Sequence, residues 1–570
     1  MEIKAMIRSH FVAIILAVIV GVISVAPQIF VLKDQNYRGI QMFGADAEYD
    51  YVAKMNQSMY GDYSKGPFPP DPGKNYYLAP EFTERAMGFM AQVFHIRVTE
   101  MNVIFKFICP IFIFLILYGW LLEMFSSRAI ALIAPLFVML GTNLLDSGEF
   151  LRLIHLKTSI DTFLPYTRPM SPQVSSLFLF TGLWSIYRLV NRQLRFRTAL
   201  LIGILCGFSL YAYVFSWTML TALTGLYLLY FILRKEIPKA KQFLLVLIAN
   251  GIVSLPFFLN MLRARSDIDY IDTTARIGLI HTHMPILGIL IVIGFAILIL
   301  LWPKKHGGTK CFLLFCLTAL LLVINQQIIT GTQLQPGHYH WYITKPLIAI
   351  ILTLLGLYWV DRLVSGKKLR IAVYIFTGSL LILSGVVIQT HSYAVNYPQF
   401  QENQRYAPLF DFLSGHYPRG RIIWTDQNLS TLILAYTGDS APDNLYATQY
   451  TDSQKHLRDM LFLEYRLKGV NPKDIFSIML GDRTYVTMRL FGLYYRDLPG
   501  NHELSDEALK NLAQEYNDSY ALPLEKIFKN LGIDLAVEDK KDHDLGLSTL
   551  SFLSKISLGD GLNVYEFKNK

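Results

Sequence analysis

Apolar residues run almost unbroken for about 20 positions at a time, the length that carries a helix across a bilayer's hydrocarbon core. These stretches recur through the first two-thirds of the chain, at roughly 11–31, 103–122, 129–145, 173–190, 198–214, 217–233, 242–260, 285–302, 311–328, 345–360 and 371–390. The pattern predicts a polytopic α-helical membrane protein of about 11 transmembrane helices. The first stretch reads as a retained anchor helix, because it is long and lacks a clear small-residue cleavage site. After residue 390 the pattern changes to dispersed charges with short runs of both periods. Arg421–Thr425 and Gly532–Val537 read as strands, and Leu429–Tyr436 and Leu524–Leu531 as helices. The expected division is therefore 1–390 for the membrane domain and 391–570 for a separate α/β domain.

Two kinds of polar segment alternate between the apolar stretches. One kind is short and basic. It carries Arg188, Arg192, Arg195 and Arg197, then Arg234, Lys235, Lys239 and Lys241, then Lys304, Lys305 and Lys310, then Arg362, Lys367, Lys368 and Arg370. All four fall on one side if Lys4 and Arg8 hold the N-terminus in the cytoplasm, as the positive-inside rule expects. An odd number of spans then puts the C-terminal domain outside. The other kind of segment, at 32–102, 146–172, 261–284 and 329–344, is rich in Tyr, His, Asp, Pro and Gln. The first is about 70 residues, too long for a simple connector. Within it, Glu81–Phe94 has apolar residues at helical spacing and reads as a helix lying along the membrane surface.

Composition supports a membrane protein and narrows the partners. The 570 residues are 53% apolar, 14% aromatic and 17% charged, with a formal charge of +9. The positive residues sit in loops that set topology, so the charge does not indicate nucleic acid. No Walker, GxGxxG or CxxC pattern occurs, and Cys109, Cys206, Cys311 and Cys316 all lie in or beside apolar stretches, which argues against a disulfide framework.

Candidate chemistry concentrates in the non-basic segments. Asp46, Glu48 and Asp50 fall within five residues, beside Tyr49 and Tyr51, just beyond the first apolar stretch. Lipid packing has no use for such a cluster, although solvated surface would also explain it. One carboxylate can take a proton from a hydroxyl, and another can hold a divalent cation, Mg or Mn, on a phosphate; Asp46 and Glu48 are the candidate metal ligands. Arg168 lies directly before a span in Tyr166–Gln173. It suits a lipid-linked phosphate, with interfacial snorkelling as the alternative. Gln335, His338 and His340 stand in Gln335-Pro-Gly-His-Tyr-His340, where the histidines suit a diphosphate or a metal. Tyr51, Gln173 and Gln335 are candidate substrate contacts, and His281 and His283 repeat the His-x-His spacing elsewhere.

Asp46-Ala-Glu48-Tyr49-Asp50-Tyr51 resembles the acidic-plus-aromatic motif that GT-C class polytopic glycosyltransferases carry after their first helix. Arg168-Pro-Met-Ser-Pro-Gln173 and Gln335–His340 are similar to segments of poorly characterised bacterial membrane proteins of this type. The resemblance covers the whole architecture, but its residue-level anchor is the short acidic motif. It implies a GT-C-like fold in a bacterial plasma membrane and a sugar donor on a polyprenyl-phosphate carrier. The acceptor would be an extracytoplasmic glycan, lipid or protein. It further implies Asp46, Glu48 or Asp50 as base, and Arg168 with His338 or His340 on the departing phosphate. The oligosaccharyltransferase WWD-type sequence is missing from the tail, which weakens transfer to asparagine. A non-catalytic scaffold or assembly protein and a lipid or solute transporter are the rival classes.

Overall fold

The computed structural model describes residues 2–43, 47–60, 76–146, 148, 150–151, 162–301, 307–442, 444, 453–495, 503–541 and 545–568, with no side chains for 2–9, 47–49 and 60. Asp46 therefore lies outside the described residues, and Glu48 is described by its backbone alone.

The helices of the N-terminal two-thirds are α1 (Glu2–Leu32), α2 (Ala47–Tyr60), α3 (Phe82–Phe94), α4 (Val98–Phe125), α5 (Arg128–Leu136), α6 (Ser175–Asn191), α7 (Phe196–Ala212), α8 (Val214–Leu233), α9 (Ile237–Ala264), α10 (Tyr270–Arg276), α11 (Ile289–Ala296), α12 (Gly307–Ile324), α13 (Lys345–Leu363) and α14 (Lys367–Asn403). The chain is an integral multi-pass membrane protein, and each of the eleven expected spans falls on a helix. Eight helices among the described residues are long and apolar enough to cross a membrane; α7 and Ile289–Leu301 are apolar but shorter. Their outward faces stay apolar. On α9, Ile248, Ile252, Leu255, Leu259 and Leu262 form an exposed stripe at three- and four-residue spacing, which water would penalise and lipid tails accept. Several spans widen at an end: Phe137–Gly141, Pro169–Val174, Ile297–Leu301 and His340–Thr344 are π-helical turns.

α14 does not stop at residue 390. It runs as one helix of 37 residues and leads into α15 (Ala407–His416). The C-terminal domain then contributes α16 (Gln427–Tyr436), α17 (Gln454–Leu467), α18 (Ile475–Gly481), α19 (Arg483–Phe491), α20 (Asp506–Ser519) and α21 (Leu524–Asn530). A two-stranded pair, β1 (Ile280–His281) and β2 (Thr332–Gln333), joins two loops of the membrane domain. The domain's own sheet has the order β3-β4-β6-β5, from β3 (Ile423–Trp424), β4 (Leu535–Asp539), β5 (Leu553–Gly559) and β6 (Leu562–Phe567). β3 pairs parallel with β4, and the other pairings are antiparallel.

Both faces of this sheet are covered. Ile423, Leu535, Val537 and Val564 join one core with α15 and α16, while Trp424, Ala536 and Tyr565 join another with α17 and α21. The two-residue period of a strand accounts for the split. It also explains why all five residues of β4 are buried.

The C-terminal domain is fastened to the first loop. The Gln404 amide oxygen accepts from the Arg38 amide at 2.8 Å, and its NH2 donates to the Ile40 carbonyl at 2.8 Å. The Gln41 amide donates to the Tyr436 hydroxyl at 2.7 Å. Asn56 on α2 donates to the carbonyl of Ala435, at the C-terminal end of α16, at 2.7 Å. α2 and α3 also touch closely. A Cβ on Gly88 would lie 2.5 Å from the Met55 carbonyl oxygen, so only glycine lets the two helices meet there.

Candidate functional site

The acid-bearing segment forms the start of α2, and burial sets its chemistry. Asp50 is 9% exposed and forms an ion pair with Lys54 at 3.0 Å, one turn later on the same helix face. Glu84 from α3 is also buried, and Glu81 lies at the start of that helix. Burial is the largest influence on Glu84 and lifts its carboxyl to about 7; Lys54 opposes the rise, while Glu81 and Asp50 add to it. Glu81 is likewise raised, chiefly by burial. Asp50, Glu81 and Glu84 thus lie within electrostatic reach of the Lys54 ammonium, and Arg85 also bears on Glu81.

Arg168 connects this helix pair to the ends of the spans. Its guanidinium lies 5.7 Å from the centre of the Tyr51 ring and 5.8 Å from that of Tyr342. It donates to the Tyr342 hydroxyl at 2.5 Å, and its Nε donates to the Ser171 carbonyl. Burial pushes the Tyr51 phenol up to about 12, with Arg168 pulling the other way. An arginine set between two aromatic faces is oriented by stacking as well as by charge. The π turns at Pro169–Val174 and His340–Thr344 flank it, in a type of irregularity that often accompanies functional positions.

The two histidines separate. His338 lies parallel to the Phe215 ring at 4.6 Å, its Nδ1 meets the Tyr213 hydroxyl, and Arg168 is the charge that bears on it. His340 packs edge-on to Trp341 and experiences Lys345 and Asp146. They do not form a chelating pair. Among the described residues no group of three His, Cys, Asp or Glu side chains is arranged to hold a metal. Asp50 is engaged by Lys54, so the expected Mg or Mn would depend on Asp46 and Glu48.

The remaining sequence candidates have structural partners. Gln173 is fully buried, and its NH2 donates to the Tyr166 carbonyl at 2.6 Å. Gln335 donates to the Ile277 carbonyl at 2.7 Å, over a backbone turn at Gly278 with φ of +82°. A Cβ on Gly278 would lie 2.4 Å from the Gln335 amide nitrogen, so a side chain there would break the loop contact. His281 lies on β1, and His283 meets the Ile328 carbonyl at 3.1 Å.

Sequence reading missed Lys54, Glu84 and Lys345. Lys345 is completely buried, 3.5 Å from Asp146, with its ammonium 3.1 Å from the centre of the Trp341 ring. A lysine at the start of an apolar span was the available signal, since a cation at that depth needs partners. Lys54 and Glu84 gave a weaker one: each follows an acid by three or four residues, but only the packing of α2 on α3 brings them together.

No family model matches the chain. No curated protein matches it either. Among solved structures, it is similar to ArnT from Cupriavidus metallidurans in the apo state, with 11% identity, 98% of each chain covered and a TM-score of 0.48. A structure of the same ArnT bound to undecaprenyl phosphate also matches, with 11% identity, 98% of each chain and a TM-score of 0.40. The apo oligosaccharyltransferase of Archaeoglobus fulgidus matches with 11% identity, 94% of this chain, 71% of that chain and a TM-score of 0.46. At these values the likeness is a coarse one of helix arrangement.

Proposed function

We propose that this protein is a membrane glycosyltransferase that moves a sugar from a polyprenyl-phosphate carrier to an acceptor hydroxyl outside the cytoplasm. One observation carries the reading: Arg168 is held against Tyr51, on the acid-bearing helix, and against Tyr342, at the head of a span. Acid and cation thereby share one site at the end of an apolar helix bundle, where a lipid tail has a surface to lie on and a phosphate has a guanidinium to meet.

In the proposed step, Asp46, Glu48 or Asp50 takes the proton from the acceptor hydroxyl. Its oxygen attacks the anomeric carbon, and the carbon–oxygen bond to the phosphate breaks with its electrons going to the phosphate oxygen. Charge grows on that oxygen as the bond breaks, and Arg168 stabilises it, with His338 or His340 assisting. In-line attack inverts the anomeric centre. Asp46 is the first choice of base by its place in the motif, because the Lys54 ion pair holds Asp50. A divalent cation enters this proposal only through Asp46 and Glu48, a hard-oxygen pair of the kind that binds magnesium on a substrate phosphate. The basic loops support a cytoplasmic N-terminus and a C-terminal domain outside.

Replacing Asp46 by Asn tests the reading. Glycan transfer in membranes is expected to fall to background while the variant still inserts normally. Unchanged product would favour a scaffold, and solute flux in proteoliposomes without any acceptor would favour a transporter.

A further inference from the structure

We propose that Glu84 is a positioning residue for transfer, holding or releasing the acid-bearing turn of α2 through Lys54, the ammonium it shares with Asp50. The part played in transfer rests on the reading above; the coupling of Glu84 to α2 rests on how α2 and α3 pack.

Glu84 is out of place on its helix. The buried residues of α3 are Thr83, Glu84, Met87, Gly88 and Ala91, and Glu84 is the one charge among them. A carboxylate between packed helices costs stability unless a cation or a hydrogen bond meets it. Glu84 is 7% exposed, and among the described residues it makes no ion pair or hydrogen bond with another side chain. Lys54 is the charge that favours its ionised form, while Glu81 and Asp50 oppose it.

The packing decides what Glu84 can reach. Gly88 brings α3 against the α2 backbone at Met55. One turn earlier on the same face of each helix stand Glu84 and Tyr51, and Asp50 and Lys54 flank Tyr51 on α2. Lys54 is 13% exposed and already pairs with Asp50 at 3.0 Å. Glu84 also bears on Tyr51, whose ring faces the Arg168 guanidinium at 5.7 Å. The acid segment and the phosphate-binding arginine thus both lie within its influence.

The other charges nearby do not relieve it. Arg85 and Glu81 share its helix, and Arg85 is exposed. α4 and α7 also pack on α3. Near this end α4 brings Glu100, paired with Arg97 beyond the last turn of α3, and Lys106, buried in the span. α7 brings Tyr211, whose hydroxyl donates to the Val253 carbonyl at 2.9 Å. Lys54 therefore has two claimants. With a proton on Glu84, the ammonium serves Asp50 alone and the turn is pinned. With that proton lost to water, two carboxylates divide one ammonium and repel each other, and the turn loosens. Burial lifts the Glu84 carboxyl to about 7, so both forms are reached under mild conditions.

The test compares about pH 6 with about pH 8, roughly one unit either side of the Glu84 value. Glycan transfer is read in membranes of the producing cells, with their own donor and acceptor. Deuterium uptake by the α2 amides, corrected for the intrinsic rate at each pH, is read on the full chain in lipid nanodiscs. In wild type, transfer should be about tenfold lower at the higher pH, following the neutral fraction of Glu84, and α2 uptake should rise. Glu84→Gln keeps the shape of the neutral acid and should flatten both responses. Glu84→Asp still titrates and should keep them. Uptake in wild-type α2 that does not change with pH overturns the proposal without need of any variant. So does a Glu84→Gln response as large as that of wild type, or a wild-type transfer rate indifferent to pH. Asp46→Asn separates the two readings, because its α2 uptake should follow wild type. If uptake follows Glu84 while Asp46→Asn keeps full transfer, the choice of Asp46 as base fails and the Glu84 coupling stands.

Discussion

Two ionic clusters lie at opposite ends of the helix bundle and are built on opposite principles. Near the end of α4, Glu123 accepts from the Trp184 indole and the Arg188 guanidinium, each at 2.8 Å, and pairs with Arg192 at 2.7 Å. The arginines there are exposed, and every carboxylate oxygen has a partner. Such a clasp ties two helices together at the bundle surface and can be dismantled cheaply. At the domain-bearing end, by contrast, Asp50, Glu84 and Lys54 are largely withdrawn from water, and burial holds the Glu84 carboxyl well above its usual value. Charge held this way is unfavourable for folding alone, and such perturbed groups cluster at functional sites, which fits the proposed transfer chemistry.

The largest expected break in this contrast comes from Lys54→Met. With the ammonium gone, Asp50 and the two glutamates face one another in a buried setting. The cost should be about 3–5 kcal/mol, read as a large drop in the apparent unfolding midpoint in nanodiscs. Glu84→Gln should act through pH. A carboxyl raised to about 7 in the folded chain adds stability below its unfolded value of 4.5, and that contribution is lost as pH rises through 7. Wild type should lose on the order of 3 kcal/mol across that window relative to the variant, visible as a flatter midpoint-against-pH curve for Glu84→Gln. Arg168→Lys keeps the charge but loses the planar stack and the fork. Transfer should fall about 10- to 100-fold, with little change in midpoint. The smallest effect belongs to the opposite cluster, where Glu123→Gln should cost about 1 kcal/mol or less and leave transfer intact. A Glu123→Gln loss as large as that of Lys54→Met would erase the distinction.

Much of the fold follows from hydropathy, because a span must be apolar over its full length whatever it packs against. The helix expected at Glu81–Phe94 was legible for a similar reason: its apolar residues recur at helical period, and the structure has α3 at Phe82–Phe94. The site was legible only in part. Arg168 and Tyr51 come together, but that needed the α2 segment to fold back over the span ends, which no local pattern encodes. His338 and His340 looked like a pair because they are two residues apart; in a helical setting that spacing turns them to different sides. Gln335 and Gln173 looked available because amides are versatile, yet each is used in joining backbone segments. Buried Lys54 and Glu84 were hidden because their environment is made by two helices more than 20 positions apart.

The continuous helix from Lys367 to Asn403 has a mechanical consequence. At 1.5 Å per residue it is a mast about 55 Å long, rooted among the spans and ending beside the residues that grip the first loop. Its upper end is keyed to the sheet, where Arg405 and Tyr406 meet the buried Asp539. A tilt of the mast in the bilayer would therefore be felt at Gln404, Arg38 and the acid segment as one movement. Severing the chain at residue 390 would leave the upper part to begin in mid-helix, so the tail from 391 onward would lose the rigid root that its first turns share with the spans.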